Sequence, residues 1–388
     1  MPATKINLGK NTEVGPLFSY PPNSHEVCFI DQTLAETISH YLNSSLARDG
    51  YGSSCATVSI ARNIVTVSIT GPAGRAYKQL LPRYLAAGKL GLAASRTLRT
   101  QDQWRYNWRF FLPHGIAMTN HRSVQLLHFP PDYVLERDQD YLSAHTTVRW
   151  AALLVENGAD ASSTASYQNI IDIAPIAAPS ADGHHLDGVY VAYNDYIVSL
   201  MKLWLPTSGK SLRPMIAFGS PVRKWLKRTF NVDLDVLAVT RIAIDAGRTV
   251  PTLGANHPSF IYNAVKRLAD DPGTPEDERV ALGMRIMQQD LVAANWQVVM
   301  ATDPSADPLA VLRSCQRRWE RTSKQARIRT LTYQQVFDKE PEETKSLTRR
   351  KLKRHASPRD IALPVLDRKI EQLRQELGAS ESAPPPLS

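Results

Sequence analysis

Asn256-His257-Pro258-Ser259 stands at the mouth of a short apolar run, and Phe260, Ile261 and Tyr262 follow it directly. A histidine there can hold or pass a proton, a proline stiffens the turn, and the bulky trio can fill a gap in something stacked. The same residues equally suit a plain strand-to-helix turn, with the proline and serine starting the helix. Other chemistry-bearing residues occupy comparable places. Asp172 closes the run "NIID", and Asp132 follows a double proline in "HFPPDY", flanked by Phe129 and Tyr133. An ionised carboxylate accepts hydrogen bonds and can activate water, while an aromatic face stacks on a planar ring. The plainer alternatives are a helix cap or an arginine partner for Asp172, and core packing for Phe129 and Tyr133.

Four apolar runs end at these turns: "RSVQLLHF", "YQNIIDIAPIAAP", "RPMIAFGS" and "VPTLGANHPSF". Between and after them lie "HTTVRWAALLVENGAD", "GVYVAYNDYIVSLMKLWLP", "PVRKWLKRTF" and "PEDERVALGMRIMQQDLVAANWQVVMATDP", all with apolar residues at helical spacing. Strands alternating with helices predict an α/β domain over residues 119–305, a three-layer sandwich around a central, mostly parallel, four-stranded sheet. The stretch after "KRTF" is read as a variable connection rather than a strand. In such sheets ligands bind outside the carboxyl ends of the strands, where each of these turns falls.

Residues 1–118 read as a separate N-terminal α+β module. "CATVSIARNIVTVSITGPAG" predicts a hairpin or meander, and "YKQLLPRYLAAGKLGLAAS" a helix. In "RTLRTQDQWRYNWRFFLPHG", Arg105 and Arg109 interleave with Trp104, Tyr106, Trp108, Phe110 and Phe111. That pattern suits base stacking or one face of an amphipathic strand equally. Residues 306–375 read as a basic helical extension, and residues 376–388, "ASESAPPPLS" included, have the composition of a disordered tail.

The chain carries a net charge of +9. From Val311 to His355 there are fourteen Lys or Arg against five Asp or Glu, so this segment alone accounts for that excess. Such a block, with Arg349, Arg350, Lys351 and Lys353 at its densest, reports either a polyanion partner or a solvated face. No run of 18 or more uncharged apolar residues occurs, so no membrane span is expected. The first residues lack the apolar core of a secretory signal, and Cys28, Cys55 and Cys315 are widely separated. A reducing cytoplasm is the expected setting. No metal or organic cofactor is expected: no CxxC, GxxxxGK[ST] or GxGxxG pattern is present.

The order of these turns resembles the uracil-DNA glycosylase superfamily over residues 123–300. "NIIDIAPIAAP", a helix, "RPMIAFGSPVRKWL" and finally "NHPSF" are similar to its strand–helix–strand–helix–motif run, and His-Pro-Ser is its best-known signature. The resemblance implies DNA as partner, either a duplex with a flipped base or a single strand. It implies that His257 stabilises charge on a departing base, that Pro258 and Ser259 pinch the backbone, and that Phe260 or Ile261 wedges the duplex. A donor aimed at the base oxygen contributes about 3–4 kcal/mol to such a reaction.

Two departures shape the expected substrate. The superfamily's first motif places an activating carboxylate or a small residue where this chain has Pro130, so Asp132 becomes a displaced substitute. Its uracil-reading members carry an asparagine where this chain has Asp172. A carboxylate repels the O4 acceptor of uracil and pairs with the N4 amino group of cytosine. Excising plain cytosine would destroy the host genome, so the expected substrate is a modified cytosine such as glucosylated hydroxymethylcytosine in phage DNA. That points to anti-phage defence. The alternatives are uracil excision in DNA repair, or a glycosylase-fold protein that binds DNA without catalysis.

Overall fold

Val65, Val67 and Ile69 alternate with polar residues and are fully buried, the mark of a strand with one covered face. They belong to β3 (Ile64–Ile69), which forms a hairpin with β2 (Ala56–Ala61). Arg62 and Asn63 join the two with φ of 48° and 67°, the left-handed pair that a two-residue hairpin turn of matching twist requires. This computed structural model describes residues 2–19, 33–100, 121–129, 145–176, 189–203, 213–245, 247–261 and 276–321. β1 (Thr4–Lys10) pairs antiparallel with the far side of β3, giving the sheet order β1-β3-β2.

Three helices accompany this sheet: α1 (Asn11–Ser19), α2 (Leu34–Arg48) and α3 (Gly71–Thr100). Thr33 starts α2 reciprocally. Its Oγ1 accepts from the Glu36 N–H at 3.3 Å, and the Glu36 carboxylate accepts from the Thr33 N–H at 3.1 Å. The buried face of α3 carries polar clasps. Tyr84 bonds the Tyr41 hydroxyl, Tyr77 donates to Asp49 at 2.5 Å, and Ser95 meets the Tyr193 hydroxyl at 2.6 Å.

The second sheet has five strands rather than the four expected. β4 (Val124–Leu127), β5 (Asn169–Asp172), β6 (Met215–Phe218), β7 (Val239–Asp245) and β8 (Arg248–Ala255) lie in the order β5-β4-β6-β8-β7. The four expected strands are mutually parallel, and β7 pairs antiparallel with β8. The stretch read as a variable connection is therefore an edge strand. Ile242 and Ile244 are buried while Arg241, Ala243 and Asp245 are exposed, and outward charges of this kind guard an edge against foreign pairing. Gly247, with φ of 78°, lies in the turn that reverses the chain.

Around this sheet lie α4 (His145–Glu156), α5 (Val189–Ala192), α6 (Asn194–Leu203), α7 (Gly219–Phe230), α8 (Glu276–Thr302) and α9 (Pro308–Arg321). Leu127, Phe218 and Leu253 pack with Trp150, Met287 and Trp296 on one face. On the other, Leu126, Ile171 and Ala217 join Trp225 and the N-terminal elements in a single apolar cluster. A helix returning between parallel strands runs against them, so α4 and α6 begin at the carboxyl edge of the sheet. The Ser95–Tyr193 and Arg83–Lys202 bonds set α3 antiparallel to α6, which brings the end of α3 to that same edge. No described helix is long and apolar enough to cross a membrane.

Candidate functional site

Strand register aligns the carboxyl ends of the four parallel strands. Leu127 pairs with Asp172, Leu126 with Ala217, and Phe218 with Ala255. His128, Asp172, Gly219 and His257 therefore stand at or just past four strand ends along one edge. Gly219 turns the chain out of β6 with φ of 80°, a conformation that favours glycine. A Cβ added there would lie 3.5 Å from the Cβ of His257, so the end of β6 packs directly against the histidine.

His257 has a defined protonation state. The backbone N–H of Ser259 reaches its Nδ1 at 3.2 Å, and the Ser259 hydroxyl lies 2.7 Å from the same nitrogen. A backbone N–H can only donate, so Nδ1 accepts and the ring proton resides on Nε2. Burial pushes the imidazole pKa down to about 4, and the nearby His128 and Arg149 push the same way. The ring is thus neutral at pH 7 and presents a single N–H donor.

The loop around it is clamped from two helices. On α4, Arg149 is fully buried and donates from Nη1 to the Pro258 carbonyl at 2.8 Å. Its Nη2 meets Asp290 Oδ2 of α8 at 2.5 Å. One residue before the histidine, Asn256 donates to Gln289 Oε1 at 2.8 Å. Burial raises the Asp290 carboxyl to about 6 against the opposing pull of Arg149, which leaves it ionised at neutral pH. Trp150 fixes α4 in turn: its ring packs edge-on against Phe218 at 4.6 Å, and its Nε1 donates to Gln297 at 2.8 Å. On the far side, Arg223 of α7 donates to the Ala255 carbonyl at 3.0 Å.

Phe260 is 41% exposed at the tip of this loop, whereas Ile261 is 8% exposed and belongs to the core beneath. Of the two wedge candidates, only Phe260 is free to enter a stack, because Ile261 is already packed. Pro258 is buried and Ser259 half-buried. Asp172 is half-buried at the end of β5, and its register with Leu127 directs it to the face covered by α4 and α8. Three strand spacings, about 14 Å, separate the ends of β5 and β8, so Asp172 and His257 share an edge without touching. Phe129 is half-buried against the core, its ring edge-on to His128 at 4.9 Å. Asp132, Tyr133, Arg349, Arg350, Lys351 and Lys353 lie outside the described residues, as do Trp104 to Phe111 and residues 376–388.

Arg149, Asp290, Gln289 and His128 were not singled out in the sequence. A signal existed for two of them. Arg149 interrupts "TTVRWAALLV" and Asp290 interrupts "MQQDLVAANW", each the lone charge of its stretch. Opposite lone charges on two core helices mark a buried pair.

In comparisons with known proteins, no family model matches the chain, and no curated protein matches it.

Proposed function

We propose that the chain is a DNA glycosylase that extrudes a base and hydrolyses its N-glycosidic bond, within a uracil-DNA glycosylase-like three-layer arrangement. One observation carries the reading: a neutral imidazole, its Nε2–H unencumbered by the Ser259 bonds, stands at the carboxyl edge of four parallel strands. In the reaction the C1′–N bond breaks, the base leaves with the bonding electrons, and water adds to C1′. His257 donates to the base oxygen on which negative charge grows. Asp132 takes the proton from water. Phe260 enters the vacated stack, offsetting the loss of base stacking.

Asp172 reads the extruded base and accepts from an exocyclic amino group, which favours cytosine over uracil. The substrate is then a modified cytosine, such as glucosylated hydroxymethylcytosine in phage DNA, met in the cytoplasm during anti-phage defence. The test is abasic-site formation on matched oligonucleotides carrying uracil, cytosine, or glucosylated hydroxymethylcytosine. Release of the modified cytosine alone supports the reading. Pro130, in place of a carboxylate, favours a second reading as a DNA-binding protein without catalysis. Binding of all three oligonucleotides without release of any base supports that one.

A further inference from the structure

The long helix α3 plays no part in the site, yet its charge is one-sided. Its thirty residues include six Lys or Arg and no Asp or Glu. Arg75, Lys78, Lys89 and Arg96 are exposed, and at 3.6 residues per turn they fall within about 60° of arc. Exposed Pro82 and Ala93 lie between them on the same arc, with Ala86 at its margin, and keep the ridge low. The opposite face, with Tyr77, Leu81, Tyr84 and Leu98, is sealed in the core. Among the described residues the one acid meeting this stripe is Glu13, 3.4 Å from Lys89, and both side chains are about half exposed. A pair so exposed is weak and exchangeable. Ordinary solvated helices intersperse both signs, because like charges on neighbouring turns repel.

We propose that the exposed ridge of α3 is a rail for the phosphates of duplex DNA. From Arg75 to Arg96 the ridge spans about 32 Å of helix, with Pro82 inside it, close to one turn of the double helix. The low residues between the cations let a rigid phosphate backbone approach them. A membrane surface fits less well, since the apolar face of α3 is buried and cannot insert. The Arg96 end lies at the carboxyl edge of the second sheet, the edge that also carries the His257 loop. The choice of DNA rests on the reading of that site; excision itself is not required.

The test uses the full chain and a labelled, unmodified duplex, with binding followed by fluorescence anisotropy through a salt series. One variant combines Arg75→Gln, Lys78→Gln, Lys89→Gln and Arg96→Gln. A second removes equal charge elsewhere through Lys5→Gln, Lys10→Gln, Lys202→Gln and Lys224→Gln, all exposed positions. The slope of log affinity against log salt falls by about 0.9 for each phosphate left without its cation, so the rail variant drops by about three to four units. The second variant keeps the wild-type slope. If the fourfold rail variant does not fold, Arg75→Gln with Lys78→Gln, and Lys89→Gln with Arg96→Gln, each lower the slope by about half as much. A wild-type slope in the rail variants, or an equal fall in the second variant, overturns the proposal. So does loss of anionic-vesicle or acidic-peptide binding with DNA binding intact. A chain that shows the slope change but releases no base keeps its rail and loses only the excision reading.

Discussion

The guanidinium of Arg149 on α4 holds the carbonyl of Pro258 at 2.8 Å, across a separation of 109 residues. This contact fixes the turn that carries His257, and Asp290 fixes the guanidinium. Neither charge reaches solvent. Removing one partner strands the other in the core, so Arg149→Met should destabilise the fold by about 3–5 kcal/mol in denaturant melts. Adding Asp290→Leu should recover most of that loss, because an apolar pair of similar size replaces a desolvated ion pair. If Arg149→Met melts like the wild type, the pair does not brace the loop.

The His257 ring should titrate with a midpoint near pH 4 and carry its proton on Nε2 above it, read from ¹⁵N-resolved NMR of the imidazole nitrogens. A pKa held below the unfolded value of about 6.5 also links this group to stability. Its contribution is complete above that value and is lost as pH falls towards 4. Asp290, raised to about 6, acts in the opposite sense over much of that range and blunts the net change. The comparison that isolates the histidine is wild type against His257→Gln. Their difference in stability should narrow by up to about 3 kcal/mol from pH 7 to pH 4. A midpoint near 6.5, or a proton on Nδ1, would contradict the assigned donor.

Phe260 and Ile261 are neighbours in opposite surroundings, one exposed and one buried. Phe260→Ala should leave stability within about 0.5 kcal/mol of wild type, since the ring is 41% exposed. It should also suppress the fluorescence rise of a 2-aminopurine placed beside the target base, which reports unstacking. Ile261→Ala should cost about 2–5 kcal/mol, because it opens a cavity in the core. Normal base unstacking by Phe260→Ala would remove that ring from the wedge role.

Asp172→Asn should move selectivity from cytosine-type bases towards uracil, since an amide can donate to O4 where a carboxylate cannot. Relative excision rates on paired oligonucleotides measure the shift. An unchanged ratio would return Asp172 to a structural position at the end of β5.

Much of the second sheet was legible because its parallel strands are short, continuous apolar runs ended by punctuating turns. "MIAF" is buried at all four positions, as expected of a strand covered on both sides. β7 escaped because its outer face carries Arg241 and Asp245, which break the apolar signal, and its pairing is set by a turn rather than by composition. In the site, His257 announced itself through the residues around it. Its clamp did not, because Arg149 and Asp290 lie 141 residues apart in sequence and meet only through the packing of two helices. The contrast between Phe260 and Ile261 was equally hidden, since both are bulky and adjacent. Which of them faces solvent depends on where the turn from His257 ends, at the bond from the Phe260 N–H to the His257 carbonyl.

The proposed excision turns on His257 donating its Nε2–H to a base as that base leaves. The decisive measurement is single-turnover release of the modified base, compared between wild type and His257→Ala at pH 7. Measurable release by the wild type is expected, with a fall of about 100- to 1000-fold in the variant and duplex binding retained. Equal rates in the two proteins, or no release by the wild type on any oligonucleotide of the panel, would contradict it.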